Sequence, residues 1–299
     1  MIQAEKQFDV WLRDRKSDLD DRLLKQLQGK IVLVKYGGNA MVSDSSEEPV
    51  LDQTSLLFSA GMLPVVVHGG GPSIRKLLEE VGIESIFVDG HRKTDARAMR
   101  FVEMALSGEV NGQLVKKLNN RGVKAVGLSG KDASMVQAEQ RFHEMVVDGE
   151  SRQMDIGFVG NITSIDPSLV HSLLQSGYLP VVSPIGVGPN GKDYNINADM
   201  FAGHLAGALK AAVFMAVTDV DGLRKDPADP ESLIEEIDAA GIRREIGTSI
   251  QGGMIPKVEA CLIALEQGVG QACIVHGMKP DRILNQLLTH NRSGTTIIS

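Results

Sequence analysis

The sequence predicts an α/β fold, with a mostly parallel sheet covered by helices on both faces. Two observations carry this. Six aliphatic runs, at 31–40, 63–71, 123–130, 178–186, 213–222 and 272–277, each run into a glycine, proline or aspartate turn. Helical patterns fill most of the gaps, at 51–61, 72–81, 95–119, 166–176, 198–211, 254–268 and 279–289. Unbroken Val/Ile/Leu strands are buried on both faces, and strands that alternate with helices pair in parallel. The 299 residues suffice for one large domain or two intimate lobes.

Ahead of the first strand, residues 5–28 read as helical with a break near Ser17. Phe8, Trp11 and Leu12 form one apolar cluster, and Leu19, Leu23 and Leu27 share a face. Such an arm packs either on a neighbouring subunit or on its own domain. Residues 134–165 break the α/β rhythm and read as a small antiparallel flap around a DGE turn. Residues 224–250 are charged and rich in Pro, Asp and Glu; within them "KDPADPESL" reads as a loop or helix start, where Pro227 and Pro230 would stop a strand.

A net charge of -7 argues against a nucleic-acid coat. Apolar residues make up 42% and aromatics 4%, so the core is expected to be aliphatic. Cys261 and Cys273 have neither zinc-site spacing nor a disulfide framework. No window suits a membrane span, and the charged start does not resemble a secretory signal, so a cytoplasmic protein is expected.

The glycine bends are the chemically informative part. "VVVHGGGPSI" ends a strand in three glycines, Gly69, Gly70 and Gly71, and opens a helix with Pro72 near its start. Free backbone N–H groups and the helix dipole there suit a phosphate or a carboxylate, although a bare tight turn reads the same way. Neither a Walker loop nor a dinucleotide fingerprint is present. Lys35 stands in an otherwise apolar strand before Gly37 and Gly38, a costly place without a ligand or a carboxylate. Lys257 follows Pro256 at a helix start, where a cation needs a nearby anion. Asp199, behind Asn195 and Asn197, can hold both lysine heads and keep both charged.

Arg92 offers a fork for a substrate carboxylate, and Thr94 beside it can cap a helix. His68 can touch a ligand or be structural. His91 and Lys93 read as solvated flankers, and Lys131 as support for the site or a strand end. Thr218, Asp219 and Asp221 close a strand and either line a nucleotide pocket or shape a turn.

Together "KYGGNAM", "VVVHGGGP", "DGHRKTDARAM", "GLSGKDA", "DIGFVGNIT", "PVVSPIGVGPNGKDYNINAD", "VTDVDGL" and "GGMIPKVEAC" resemble the amino-acid kinase family over residues 30–299, and within it the members that act on N-acetyl-L-glutamate. The resemblance implies a three-layer αβα sandwich. It implies a helical arm over 1–29, an acyl amino acid-binding and dimerising lobe over 30–190, and an ATP-binding lobe over 191–299. The implied reaction is transfer of the ATP γ-phosphoryl to the side-chain carboxylate of N-acetyl-L-glutamate, a step of arginine biosynthesis, with Mg²⁺ carried by the nucleotide phosphates. Carried over by motif, Lys35 and Lys257 neutralise the moving phosphoryl and Asp199 orients both. Gly37, Gly38, Gly69, Gly70 and Gly71 present N–H groups. Arg92, Asn195 and Asn197 hold the acceptor. Thr218, Asp219 and Lys225 belong to the nucleotide side. No dedicated metal site is implied.

The arm resembles in position that of hexameric, arginine-inhibited members, which implies a homodimer core and the option of a trimer of dimers. Those members carry a glutamate in the last helix where this chain has Gln286. Inhibition by L-arginine is therefore open.

Overall fold

The computed structural model describes residues 2–14, 18–37, 48–88, 90–147, 150–189, 191–226 and 228–299. One eight-stranded sheet forms its centre. From edge to edge it runs Glu236–Asp238, Thr295–Ile298, Gln271–His276, Val213–Thr218, Ile31–Tyr36, Leu63–His68, Leu179–Ser183 and Ala125–Ser129. The last six are parallel. Thr295–Ile298 runs antiparallel to Gln271–His276 and takes Glu236–Asp238 as its parallel neighbour.

The two faces of the sheet are written in alternate residues. Leu33, Val65, Val67, Phe214, Ala216 and Ile274 enter one core, packed under the helices Ala198–Ala208 and Ile255–Glu266. Val32, Val34, Val66, Met215, Val217 and Val275 enter the other, under Pro49–Ser59, Asn111–Asn120 and Arg282–Leu288. This is the expected three-layer arrangement. Full burial makes each of these side chains costly to truncate, at about 2–5 kcal/mol for a leucine-to-alanine change. Lys35 follows Leu33 by two residues, so it leaves the sheet on the face covered by Ala198–Ala208 and Ile255–Glu266. The alternation thereby selects the lysine's partners before any contact is measured.

The arm forms helices Ile2–Asp14 and Asp21–Leu27. Phe8 and Trp11 stack with centroids 6.0 Å apart and are buried in the chain's own second core. Ser17 lies outside the described residues, as do Gly38 and Pro227.

Three local expectations change. The flap over 134–165 is antiparallel as expected, but its strands Val136–Val147 and Glu150–Ile165 are long and close with Ile185–Val187 and Asp193–Asn195 into a small four-stranded barrel. Asp148 and Gly149 of its turn lie outside the described residues. The charged stretch 224–250 holds an edge strand, Glu236–Asp238, and a helix, Ala239–Glu245, capped by Asp238. The helical pattern 95–119 is three pieces. Met104–Val110 is a wide π turn between Ala96–Glu103 and Asn111–Asn120.

Candidate active site

A cavity of about 330 Å³ opens at the carboxyl ends of the central strands. Lys35, Gly69, Gly70 and Gly71 line it from the first two strands and the turn that follows. Arg92, Asn195, Asn197, Asp199 and Lys257 complete the predicted residues on its wall. Parallel strands deliver ligand-binding loops to this end of a sheet.

At its floor is a three-residue charge cluster. Asp199 sits in the first turn of Ala198–Ala208, 8% exposed. Its Oδ1 lies 2.8 Å from Lys35 Nζ and its Oδ2 lies 3.9 Å from Lys257 Nζ. Oδ1 takes Lys35 by charge, off the direction of an aligned hydrogen bond. Lys257 Nζ donates to Gly253 O at 3.1 Å. Burial lowers the Lys257 pKa, and the Lys35 ammonium adds to that, while the Asp199 and Asp219 carboxylates pull the other way. The expectation that Asp199 keeps the lysine charged is thus only one side of a balance that burial tips downward.

The two helices that carry Asp199 and Lys257 approach closely because Gly203 faces Ala260. A Cβ on Gly203 would fall 2.5 Å from the Ala260 carbonyl oxygen. At Gly37 the constraint is softer, since a Cβ there would meet the flexible head of Lys35, with Nζ at 3.0 Å.

Arg92 lies on another wall. It is 6% exposed, donates to Ser85 Oγ and to Gly71 O at 3.2 Å, and stacks over the Phe87 ring at 4.5 Å. Burial, with the nearby Arg75 charge, lowers its pKa to about 10. Among the described residues no carboxylate forms an ion pair with it. A buried guanidinium facing a cavity in this state suits an anionic ligand.

Several predicted residues sit elsewhere or do something else. The Gly69 N–H is taken by Tyr36 O at 2.8 Å, so it serves the turn and is not open to a phosphate. Asn197 is the N-cap of Ala198–Ala208: its Oδ1 accepts from the N–H of Asp199 and of Met200, which leaves only its amide nitrogen for a ligand. Asp95, not Thr94, caps the helix at Ala96, and Thr94 Oγ1 donates to Arg92 O. Asn195 Nδ2 reaches Thr94 Oγ1 at 3.4 Å. His68 is sealed in the core, its Nδ1 against Gly69 O and its Nε2 against Asn111 Nδ2, and burial lowers its pKa to about 4. Lys131 is held between Glu103 and Asp193.

A second cavity, of about 270 Å³, adjoins the strand end at Thr218. Its apolar wall is Val220, Leu223, Ile250 and Met254. Thr218, Asp219 and Lys225 do not line it. Thr218 is buried and donates to Asp219, and Lys225 points to solvent. Loop aliphatics of this kind look like core in a sequence, so periodicity could not single them out. A grouping of three or more His, Cys, Asp or Glu side chains able to hold a cation is absent among the described residues. Nor is any described helix long and apolar enough to cross a membrane.

Residues 30–276 match the amino acid kinase family. The chain is 46% identical to a protein of Heliobacterium modesticaldum named acetylglutamate kinase, over 92% of this chain and 94% of that one. It is 43% identical to a protein of Symbiobacterium thermophilum with the same name, again over 92% and 94%. Among solved structures, smu.665 from Streptococcus mutans superposes with a TM-score of 0.72 at 29% identity, over 90% of this chain and 98% of the other. Sheet order, the lysine–aspartate–lysine cluster below a glycine turn and these likenesses agree: the chain belongs to the amino acid kinase family.

Proposed function

We propose that the protein transfers the γ-phosphoryl group of ATP to the side-chain carboxylate of N-acetyl-L-glutamate, giving N-acetyl-L-glutamyl 5-phosphate and ADP. The observation that carries this is the placement of Asp199 between Lys35 and Lys257 in a cavity whose other wall holds the buried Arg92. The relatives named acetylglutamate kinase support the choice of acceptor.

A carboxylate is a nucleophile at neutral pH and needs no general base. Its oxygen forms a bond to the γ-phosphorus as the bond to the bridging oxygen of ADP breaks. Repulsion between two anions is the obstacle, and aimed cations lower it. Lys35 and Lys257 supply those cations, and Asp199 fixes them. Arg92 anchors the acceptor's α-carboxylate and Asn195 its acetamido group, which aligns the reacting oxygen. The Gly70 and Gly71 N–H groups face the phosphoryl. The apolar pocket of Val220, Leu223, Ile250 and Met254 suits the adenine ring, with Asp219 acting on Lys257. In this reading Mg²⁺ is carried by the nucleotide phosphates. When bound, that ion would neutralise phosphate charge.

In this reading the enzyme is a cytoplasmic homodimer, with residues 30–190 giving most of the acceptor side and 191–299 the donor side. Asn195, Asn197 and Asp199 cross that boundary. Stacking of dimers into a ring through the arm is checked by light scattering. For L-arginine as an effector, Gln286 gives no open grip. It is buried, donates to Thr296 Oγ1 and accepts from the Ser293 N–H. Activity unchanged by millimolar arginine would exclude it.

The test is an acyl-phosphate trap with Mg-ATP and hydroxylamine. Hydroxamate formed from N-acetyl-L-glutamate and not from free glutamate is the expected result. Signal with free glutamate alone would move the protein to a sister activity.

A further inference from the structure

The π turn Met104–Val110 directs Leu106 onto the glycine turn. Leu106 is fully buried yet lines the cavity, and a Cβ on Gly70 would meet its Cδ2 at 2.6 Å. A π turn carries one extra residue and redirects the side chains within it. Here it is held at three points. Before it, Glu103 pairs with Lys131, which also binds Asp193 at 2.9 Å. Within it, Ser107 Oγ and Ser183 Oγ lie 2.9 Å apart. Just after it, Asn111 Nδ2 reaches Val181 O at 2.9 Å and His68 Nε2 at 3.0 Å. The next carbonyl along the turn, Gly71 O, accepts from Arg92.

Leu106, the Gly70–Gly71 turn and Arg92 thus form one connected wall, and the lysine–aspartate cluster forms the floor. An acceptor must span from Arg92 to the lysines. An extra methylene in its side chain needs room within that cavity, and Leu106 borders the cavity against the glycine turn.

We propose that Leu106 is a specificity-determining residue that limits the acceptor's side chain to two methylenes. This rests on the reading of the cavity as the acceptor site. One methylene in an apolar pocket is worth about 10–200-fold in discrimination.

The trap assay is run on wild type, Leu106→Ala and Leu106→Met, with N-acetyl-L-glutamate and with N-acetyl-L-2-aminoadipate, one methylene longer. Leu106→Ala is expected to raise the ratio of kcat/KM for the longer acceptor over the shorter by at least about tenfold, and Leu106→Met to leave the ratio near wild type. Should the alanine variant not fold, Leu106→Val is expected to move the ratio the same way. Equal losses on both acceptors, or an unchanged ratio in a folded small-residue variant, would overturn the inference. A wild type active on neither acceptor would instead overturn the acceptor reading itself.

Discussion

Lys35 Nζ lies 2.8 Å from Asp199 Oδ1, and both groups are shielded from water. Removing one partner of a buried pair leaves the other charge uncompensated, at about 3–5 kcal/mol. Asp199→Asn is therefore expected to lower both the melting temperature and kcat. Lys257 is less tied, with its side chain 18% exposed. Lys257→Ala should lower kcat by about 10²–10³-fold with little change in melting temperature. Trap assays and thermal melts on the same preparations check this, and matched losses at Lys257 would make it a structural lysine.

The contact of Gly203 with Ala260 leads to the second expectation. Gly203→Ala puts a methyl group against a backbone oxygen and forces the two helices apart. Overpacking of this kind costs about 1–3 kcal/mol. Because these helices carry Asp199 and Lys257, turnover should fall more than the KM for either substrate rises. A variant with wild-type kcat and reduced stability would uncouple the packing from the site.

The alkaline limb of the rate profile should report Lys257. Its folded pKa is below 10.5, so between that lowered value and 10.5 the unfolded chain holds a proton that the folded chain has lost. In this window its contribution to stability rises with pH, whereas turnover, which needs the ammonium, falls. Lys257→Arg keeps its charge and should shift the limb upward at a reduced rate. A limb unmoved by Lys257→Arg would assign it to another group.

His68 gives an acid-side expectation. Its folded pKa is about 4 against 6.5 unfolded, so the unfolded state binds the proton first as pH falls. The stability this contributes is present above 6.5 and lost toward 4, about 2 kcal/mol of it between pH 7 and pH 5. Urea titrations at the two pH values should show a smaller loss in His68→Gln. An equal loss in both would point to other groups.

Much of the architecture was legible because burial on both sheet faces leaves long aliphatic runs. All six such runs are strands of the central sheet. Glu236–Asp238 was not legible, since three residues with one isoleucine carry no period. Thr295–Ile298 is β-branched throughout, a strand signal but one too short to show a period. At the site, Lys35 and Lys257 stood out because a charge in an apolar context demands a reason. Asn197 both lines the cavity and caps a helix, and capping and ligand binding ask for the same residue type; its place just before a first-turn acid was the clue to the cap. Leu106 left no trace at all, because a π turn keeps the composition of a helix.

The strand Ile31–Tyr36 is hydrogen-bonded on both sides, with Lys35 opposite Ala216 in one neighbour and opposite Val67 in the other. One neighbour leads to the apolar pocket at residue 220 and the other to the glycine turn. Lys35 therefore stands between the apolar pocket and the glycine turn, with its backbone clamped to the strand that leads to each. Register on both sides holds that stretch of backbone in place, so a loop that rearranges on either side does so around a fixed Lys35.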